Sequence, residues 1–138
     1  MTEQYQILKQ HFVAKKSWQD KYREIMLLGK QLPKLPAELK VDHAKVNGCE
    51  SNVWLYVDFD ESEKYIVVTA DSDTRIVKGL IYIISTLVNG LTVDEIKRIN
   101  IQTEFNELGL LQHLSPSRGN GILAIADAIT QFAIQSDD

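Results

Sequence analysis

Few groups in this chain have the type and placement to do chemistry, and Cys49 leads them. It is the only cysteine, and it stands in the run Asn47-Gly48-Cys49-Glu50-Ser51-Asn52-Val53-Trp54-Leu55. Asn-Gly is a strong short-range turn signal, because both residues accept positive φ at low cost. The run Val53-Trp54-Leu55-Tyr56-Val57-Asp58-Phe59 that follows is β-branched and aromatic, the composition of a strand. The thiol is therefore placed on or beside a tight turn held by a sheet, where a scaffold can present one reactive group. Two readings stand at this point. A free cysteine is commonly a small buried hydrophobe. A cysteine at a turn can instead be a nucleophile, although Glu50 beside it would raise rather than lower the thiol pKa.

The remaining candidates have simpler accounts. His11, His43 and His113 are dispersed, and no pair of ligands has zinc-motif spacing, so no metal site is expected. Ser115-Pro116-Ser117-Arg118-Gly119-Asn120-Gly121 resembles an anion site at a helix start but lacks the glycine and lysine spacing of a phosphate loop. A capped helix start explains it, with Arg118 the one residue that capping leaves over. Asp71 and Asp73 form a possible carboxylate pair, and helix capping accounts for both.

The chain has 138 residues, which suits a single domain over 1–138 with a core that needs neither disulfide nor metal. Fifteen Lys and Arg against 19 Asp and Glu give a formal charge of -4 and no basic cluster, which argues against a nucleic-acid partner. No apolar stretch approaches the ~20 residues that span a bilayer, so no membrane association is expected. The opening Met1-Thr2-Glu3-Gln4-Tyr5-Gln6 has no basic stretch leading into an apolar one, and a lone thiol suits reducing conditions. The expectation is a cytoplasmic protein.

Periodicity supplies the elements that must position Cys49. Tyr5, Leu8 and Phe12 share one face of a helix over 3–15. Ser17 starts a second helix with Trp18, Tyr22, Ile25, Met26 and Leu32 on its apolar face, ended by Pro33 and Pro36, with Leu35 packing back on the core. Residues 37–43 suit a short helical turn. A short strand at Ala44-Lys45-Val46, a second over 52–59 and a third over 64–70 predict a small antiparallel three-stranded sheet. Val53, Trp54 and Leu55 put apolar side chains on both faces of the middle strand, so helices cover one face and something else meets the other. Asp71-Ser72-Asp73-Thr74 offers N-caps for the clearest helix, with Ile76, Val77, Leu80, Ile81, Ile83, Ile84, Leu87 and Val88 in its stripe and Gly90 as its stop. Thr92 with Glu95 forms a capping box, a further short helix ends at Gly109, and Ser115-Pro116 opens the last helix. The fold class is α+β.

Six segments then carry a family resemblance: Trp18-Gln19-Asp20-Lys21-Tyr22, Leu28-Gly29-Lys30-Gln31-Leu32-Pro33, Gly48-Cys49-Glu50-Ser51-Asn52-Val53-Trp54-Leu55, Asp71-Ser72-Asp73, Ile76-Val77-Lys78-Gly79-Leu80, and residues 115–121. In this order they resemble the SufE/CsdE family of sulfur-acceptor proteins, which work with cysteine desulfurases in iron–sulfur cluster assembly. The resemblance implies a fold similar to the IscU-type scaffold, an antiparallel sheet with helices packed on it. It implies that Cys49 takes sulfur from the desulfurase's persulfide, enhances its turnover and passes sulfur on. Gly48, Glu50, Ser51, Trp54, Asp73 and Arg118 are the supporting residues it implies. The partners would be a SufS- or CsdA-like desulfurase and a downstream sulfur acceptor or Fe–S scaffold. Leu35-Pro36-Ala37-Glu38-Leu39 and Cys49-Glu50 lean toward the CsdE-like branch. The chain itself would carry no cofactor, pyridoxal phosphate belonging to the desulfurase, and would act as a sulfur-transfer partner rather than a stand-alone enzyme. The competing reading from the residues alone is an anion- or partner-binding module in which Cys49 is structural. A single-cysteine chain suits a carrier, because a second nearby thiol would discharge a persulfide as a disulfide.

Overall fold

The computed structural model describes residues 1–48 and 51–136. Cys49 and Glu50 lie outside the described residues. Among the described residues, six helices surround one β-hairpin: α1 (Glu3–Val13), α2 (Trp18–Gly29), β1 (Val53–Asp60), β2 (Tyr65–Ser72), α3 (Arg75–Val88), α4 (Val93–Arg98), α5 (Ile101–Glu107) and α6 (Pro116–Ser136).

Local signals set most helix ends. Thr2 and Ser17 accept from the amides of Tyr5 and Asp20, so each N-terminus satisfies one of its free donors. The Thr92 and Glu95 capping box closes in both directions at α4. Ser115 Oγ accepts from the Arg118 amide at the start of α6. Gly90, at φ +87°, follows α3 in the left-handed region that favours glycine. α2 stops at Gly29, earlier than the apolar pattern suggests, and Leu32 lies beyond it. Tyr22, assigned to the apolar face, is exposed.

α3 is the central helix. Every member of its predicted stripe is buried, and it packs on α2, β2 and α1. Its core continues into Tyr5, Phe12, Ile25, Phe105, Ile122 and Ile129 from the other helices.

Among the described residues the sheet has two strands, not three. β1 and β2 pair antiparallel from Val53 opposite Ser72 to Asp60 opposite Tyr65. The expected strand at 44–46 is reduced to an isolated bridge from Lys45 to Trp54, with the Val46 amide donating to the Val53 carbonyl at 2.9 Å. The cause is local. A 3-10 turn occupies Asp42–Ala44 and the Asn47-Gly48 turn follows, so too little extended chain remains for a ladder. Two strands alone are marginal in water, and here helices cover one face and the open edges are partly paired. The Asn89 side chain pairs with both backbone groups of Val68, and the Leu91 carbonyl accepts from the Ile66 amide, along the outer edge of β2. At the hairpin tip, Asp60 Oδ1 accepts from the Ser62 amide and hydroxyl and the Glu63 amide. These bonds hold the Asp60 carboxyl below the usual range.

The two faces of β1 have different covers. Val53, Leu55 and Val57 join the helical core. Trp54 and Tyr56 meet residues 33–46 instead, a strap built from two 3-10 turns, with Leu35, Ala44 and Val41 against the indole. The strap is the unspecified cover that the apolar pattern of β1 requires.

Candidate functional site

Cys49 joins the strap to β1, so it has an incoming limb through Val46, Asn47 and Gly48 and an outgoing limb through Ser51 and Asn52. Gly48 is exposed with φ +91°, a conformation that favours glycine, and this bears out the turn.

The outgoing limb is held by the junction between β2 and α3. Ser51 Oγ accepts from Thr74 Oγ1 at 2.8 Å. The Asn52 side-chain amide donates to Asp73 Oδ2 at 2.9 Å. The Asn52 carbonyl accepts from Ser72 Oγ at 2.7 Å and from the Asp73 amide at 3.4 Å. Asp73 is therefore a loop anchor. Among the described residues no side chain caps α3 at Thr74, so the capping account of this turn does not hold.

Asp71 departs further from the sequence reading. It is not in the turn but in β2, opposite Trp54 on the strap face, and its side chain is fully buried. Oδ1 accepts from the Ser72 amide at 2.8 Å and lies 3.1 Å from Lys78 Nζ. Oδ2 accepts from the Leu35 amide at 3.1 Å and lies 3.6 Å from Lys40 Nζ. Burial alone pushes this carboxyl up, but the two amides and Lys78 outweigh it and hold it below the usual range. Lys40 also sits over the Trp54 ring, 5.3 Å from its centroid. Residues 71–74 thus touch the strap through Asp71 and the outgoing limb through Ser72, Asp73 and Thr74. The signal in the sequence was the strand alternation itself: Ile66, Val68 and Ala70 face the helices, which puts residue 71 on the other face.

Arg118 reaches the same place from α6. It is half-buried and lines a small apolar cavity with Ser51, Val53, Val77 and Ile122. Among the described residues it makes no ion pair. Trp54, one of the implied supports, points to the strap, away from this cavity. On the other side of the loop, a shallow cleft runs between His43, Lys45, Asn47 and Leu55 and the α6 residues Asp127 and Ala128. The histidines stay apart: His11 pairs with Glu24, and His113 stacks on Trp18 at 4.8 Å between centroids. Among the described residues no group of three metal-ligating side chains forms, and no helix is long and apolar enough to cross a membrane.

The exposed Asn47-Gly48 turn thus leads into the cysteine position and the anchored Ser51-Asn52 limb leads out of it, with Arg118 lining the cavity beside that limb. The model of the SufE family, described as an Fe–S metabolism associated domain, matches residues 6–133. The chain belongs to that family. It is 42% identical over 122 residues to the sulfur acceptor protein CsdE of Escherichia coli (strain K12), covering 88% of this chain and 82% of the relative. It is 36% identical over 118 residues to an uncharacterized SufE-like protein of Rhizobium meliloti (strain 1021), covering 84% of each. The solution structure of a hypothetical protein from Thermus thermophilus has the same fold, with a TM-score of 0.77 at 11% identity over 96% of this chain and 95% of that one.

Proposed function

We propose that this protein is a sulfur acceptor that takes persulfide sulfur from a cysteine desulfurase onto Cys49 and passes it on for iron–sulfur cluster assembly or related sulfur transfer. The observation that carries this is the placement of the only thiol between two anchored limbs in a SufE-family chain with a sulfur acceptor among its relatives. The Cys49 thiolate attacks the terminal sulfur of the partner's persulfide. A new S–S bond forms on Cys49, the partner's S–S bond breaks, and the partner's cysteine leaves as thiolate. A thiolate attacks and a thiolate leaves, so the step balances without a proton, and no external oxidant or reductant is needed. Removing the product keeps the desulfurase free to turn over, which is how acceptance enhances its rate.

On this reading the desulfurase is CsdA-like rather than SufS-like, following the likeness to CsdE. Pyridoxal phosphate stays with the desulfurase. Residues 1–138 form one cytoplasmic SufE-like unit related to the IscU-type scaffold, and a downstream acceptor or scaffold collects the sulfur. Gly48 shapes the turn, Ser51 and Asp73 fix its outgoing limb, Trp54 seats the incoming one, and Glu50 and Arg118 set the charge around the sulfur.

The test is mass spectrometry after incubation with a desulfurase and cysteine. The expected product is a gain of about 32 mass units per sulfur, reversed by a reductant. Cys49→Ser should lose it while keeping the fold. Sulfur uptake by the serine variant would sink the proposal.

A further inference from the structure

Asn-Gly occurs three times in this chain, at 47–48, 89–90 and 120–121. The dipeptide is chemically distinctive. Glycine puts no side chain in the way of its own amide nitrogen, and that nitrogen can close a five-membered ring on the side-chain carbonyl carbon of the asparagine. Ring closure needs a free asparagine side chain, an unbonded glycine amide and freedom to rotate about the asparagine ψ.

At 89–90 the fold withholds these conditions. Asn89 Oδ1 accepts from the Val68 amide at 2.6 Å and Nδ2 donates to the Val68 carbonyl at 3.3 Å. The Gly90 amide donates to the Ile66 carbonyl at 3.4 Å. At 120–121 the pair lies in the second turn of α6, with Gly121 buried. The helical ψ holds the Gly121 amide out of line with the Asn120 side chain, and rotating it into line would break the helix. At 47–48 the conditions are met. Both residues are exposed, and among the described residues neither the Asn47 side chain nor the Gly48 amide makes a hydrogen bond. A Cβ built on Gly48 would meet nothing within 4 Å, so solvent reaches the peptide unit.

We propose that Asn47 is a site of spontaneous deamidation and isoaspartate formation, selected by the fold from three identical dipeptides. Hydroxide takes the proton of the Gly48 amide, and the nitrogen attacks Asn47 Cγ. The new C–N bond closes a succinimide. The side-chain nitrogen leaves as ammonia, taking a proton from water and returning the hydroxide. Water then opens the ring at either carbonyl. One opening leaves aspartate. The other routes the main chain through the side-chain carbon and leaves isoaspartate, with an extra methylene in the backbone. The balance is asparagine and water to acid and ammonia, with no oxidant or reductant. Either product adds one negative charge to a chain of formal charge -4, at a residue that shares a cleft with His43, Lys45 and Asp127. An exposed isoaspartyl carboxylate is the class of group that S-adenosylmethionine-dependent carboxyl methyltransferases esterify, so the altered turn is a substrate for an enzyme of that class. The reaction is independent of the proposed role of Cys49.

The full chain is aged at neutral pH in heavy-oxygen water, digested and read by peptide mass spectrometry. The peptide spanning 47–48 should gain acid and heavy oxygen at least about tenfold faster than those spanning 89–90 and 120–121, which react only through local opening. Isoaspartate should appear beside aspartate, detected by methyl transfer from labelled S-adenosylmethionine with an isoaspartyl methyltransferase. Asn47→Gln, whose longer side chain closes a slower six-membered ring, should abolish the fast site and leave the other two unchanged. In urea the three rates should converge, because the reacting dipeptide is the same and only the fold separates them. Similar rates at the three sites in the folded chain, or a difference that persists undiminished in urea, would overturn selection by the fold. Aspartate without isoaspartate would overturn the succinimide step.

Discussion

Gly79 of α3 lies against the main-chain carbonyl of Ile25 in α2, with no room for a Cβ between them. Gly29 answers from the other helix, where an added Cβ would fall 2.9 Å from the Arg75 carbonyl and 3.0 Å from the Gly79 amide. The two glycines let α2 and α3 approach closely, and α3 begins right after the residues that anchor the cysteine loop. Gly79→Ala should destabilise the fold by about 1–3 kcal/mol through overpacking, outweighing the roughly 1 kcal/mol that alanine gains over glycine inside a helix. Urea melts with unchanged slope and a lower midpoint would register it. A variant as stable as the parent would mean that the helices separate at little cost.

Asp71 gives the fold an acid limit. Its folded pKa lies below that of the unfolded chain, so its contribution is present above the unfolded value and disappears as pH falls through the folded one. Stability should therefore drop below about pH 4, and Asp71→Ala should flatten that part of the profile. At neutral pH the same variant should cost about 1–3 kcal/mol, because the Leu35 and Ser72 amides lose their acceptor. A variant with the parent's acid profile would show that Asp71 does not govern it.

Tyr5 sets the opposite limit. Burial, with the hydrogen bond to Glu104 behind it, pushes its phenol far up. The unfolded chain then loses this proton first, so stability is whole below about pH 10 and declines as pH rises past it. Tyr5→Phe should remove that decline at a cost of about 0.5–1.5 kcal/mol at neutral pH. Lys9 remains paired with Glu104 and Glu107 in the variant, so α1 keeps its link to α5. An alkaline profile unchanged by the substitution would assign the decline to other groups.

Arg118 should act on the thiol. Loss of a nearby positive charge destabilises a thiolate, so Arg118→Ala should move the pH profile of Cys49 alkylation upward by up to about one unit and slow sulfur acceptance. An unmoved profile with weaker desulfurase binding would place the arginine's partner on the other protein. If thiol, binding and stability all stay as they are, Arg118 leaves the site.

Much of this was legible in the sequence because it is local. The caps at Ser17, Thr92 and Ser115 and the apolar stripe of α3 depend on residues within a turn or two of each other. The Asn47-Gly48 turn also held, from turn chemistry. What failed depends on partners far along the chain. Asp71 looks like a helix cap because aspartate before a helix usually is one, and only the distant Leu35 amide makes it a buried acceptor. The third strand failed for a related reason: its residues have strand character, but the turns on both sides leave one bridge. Cys49 and Glu50 lie outside the described residues, so the thiol's own surroundings were expected from sequence and stay so.

The hairpin has a practical use. Each strand runs eight residues, so the tip closed by Asp60 stands about 25 Å from the end where the cysteine loop emerges. Residues 61–64 are exposed, and among the described residues their hydrogen bonds stay within the tip. A fluorophore or surface tether attached there would report on docking without standing in its way. Because the chain has a single native cysteine and lysines spread along its length, such a handle should use an inserted peptide tag rather than a second thiol or an amine.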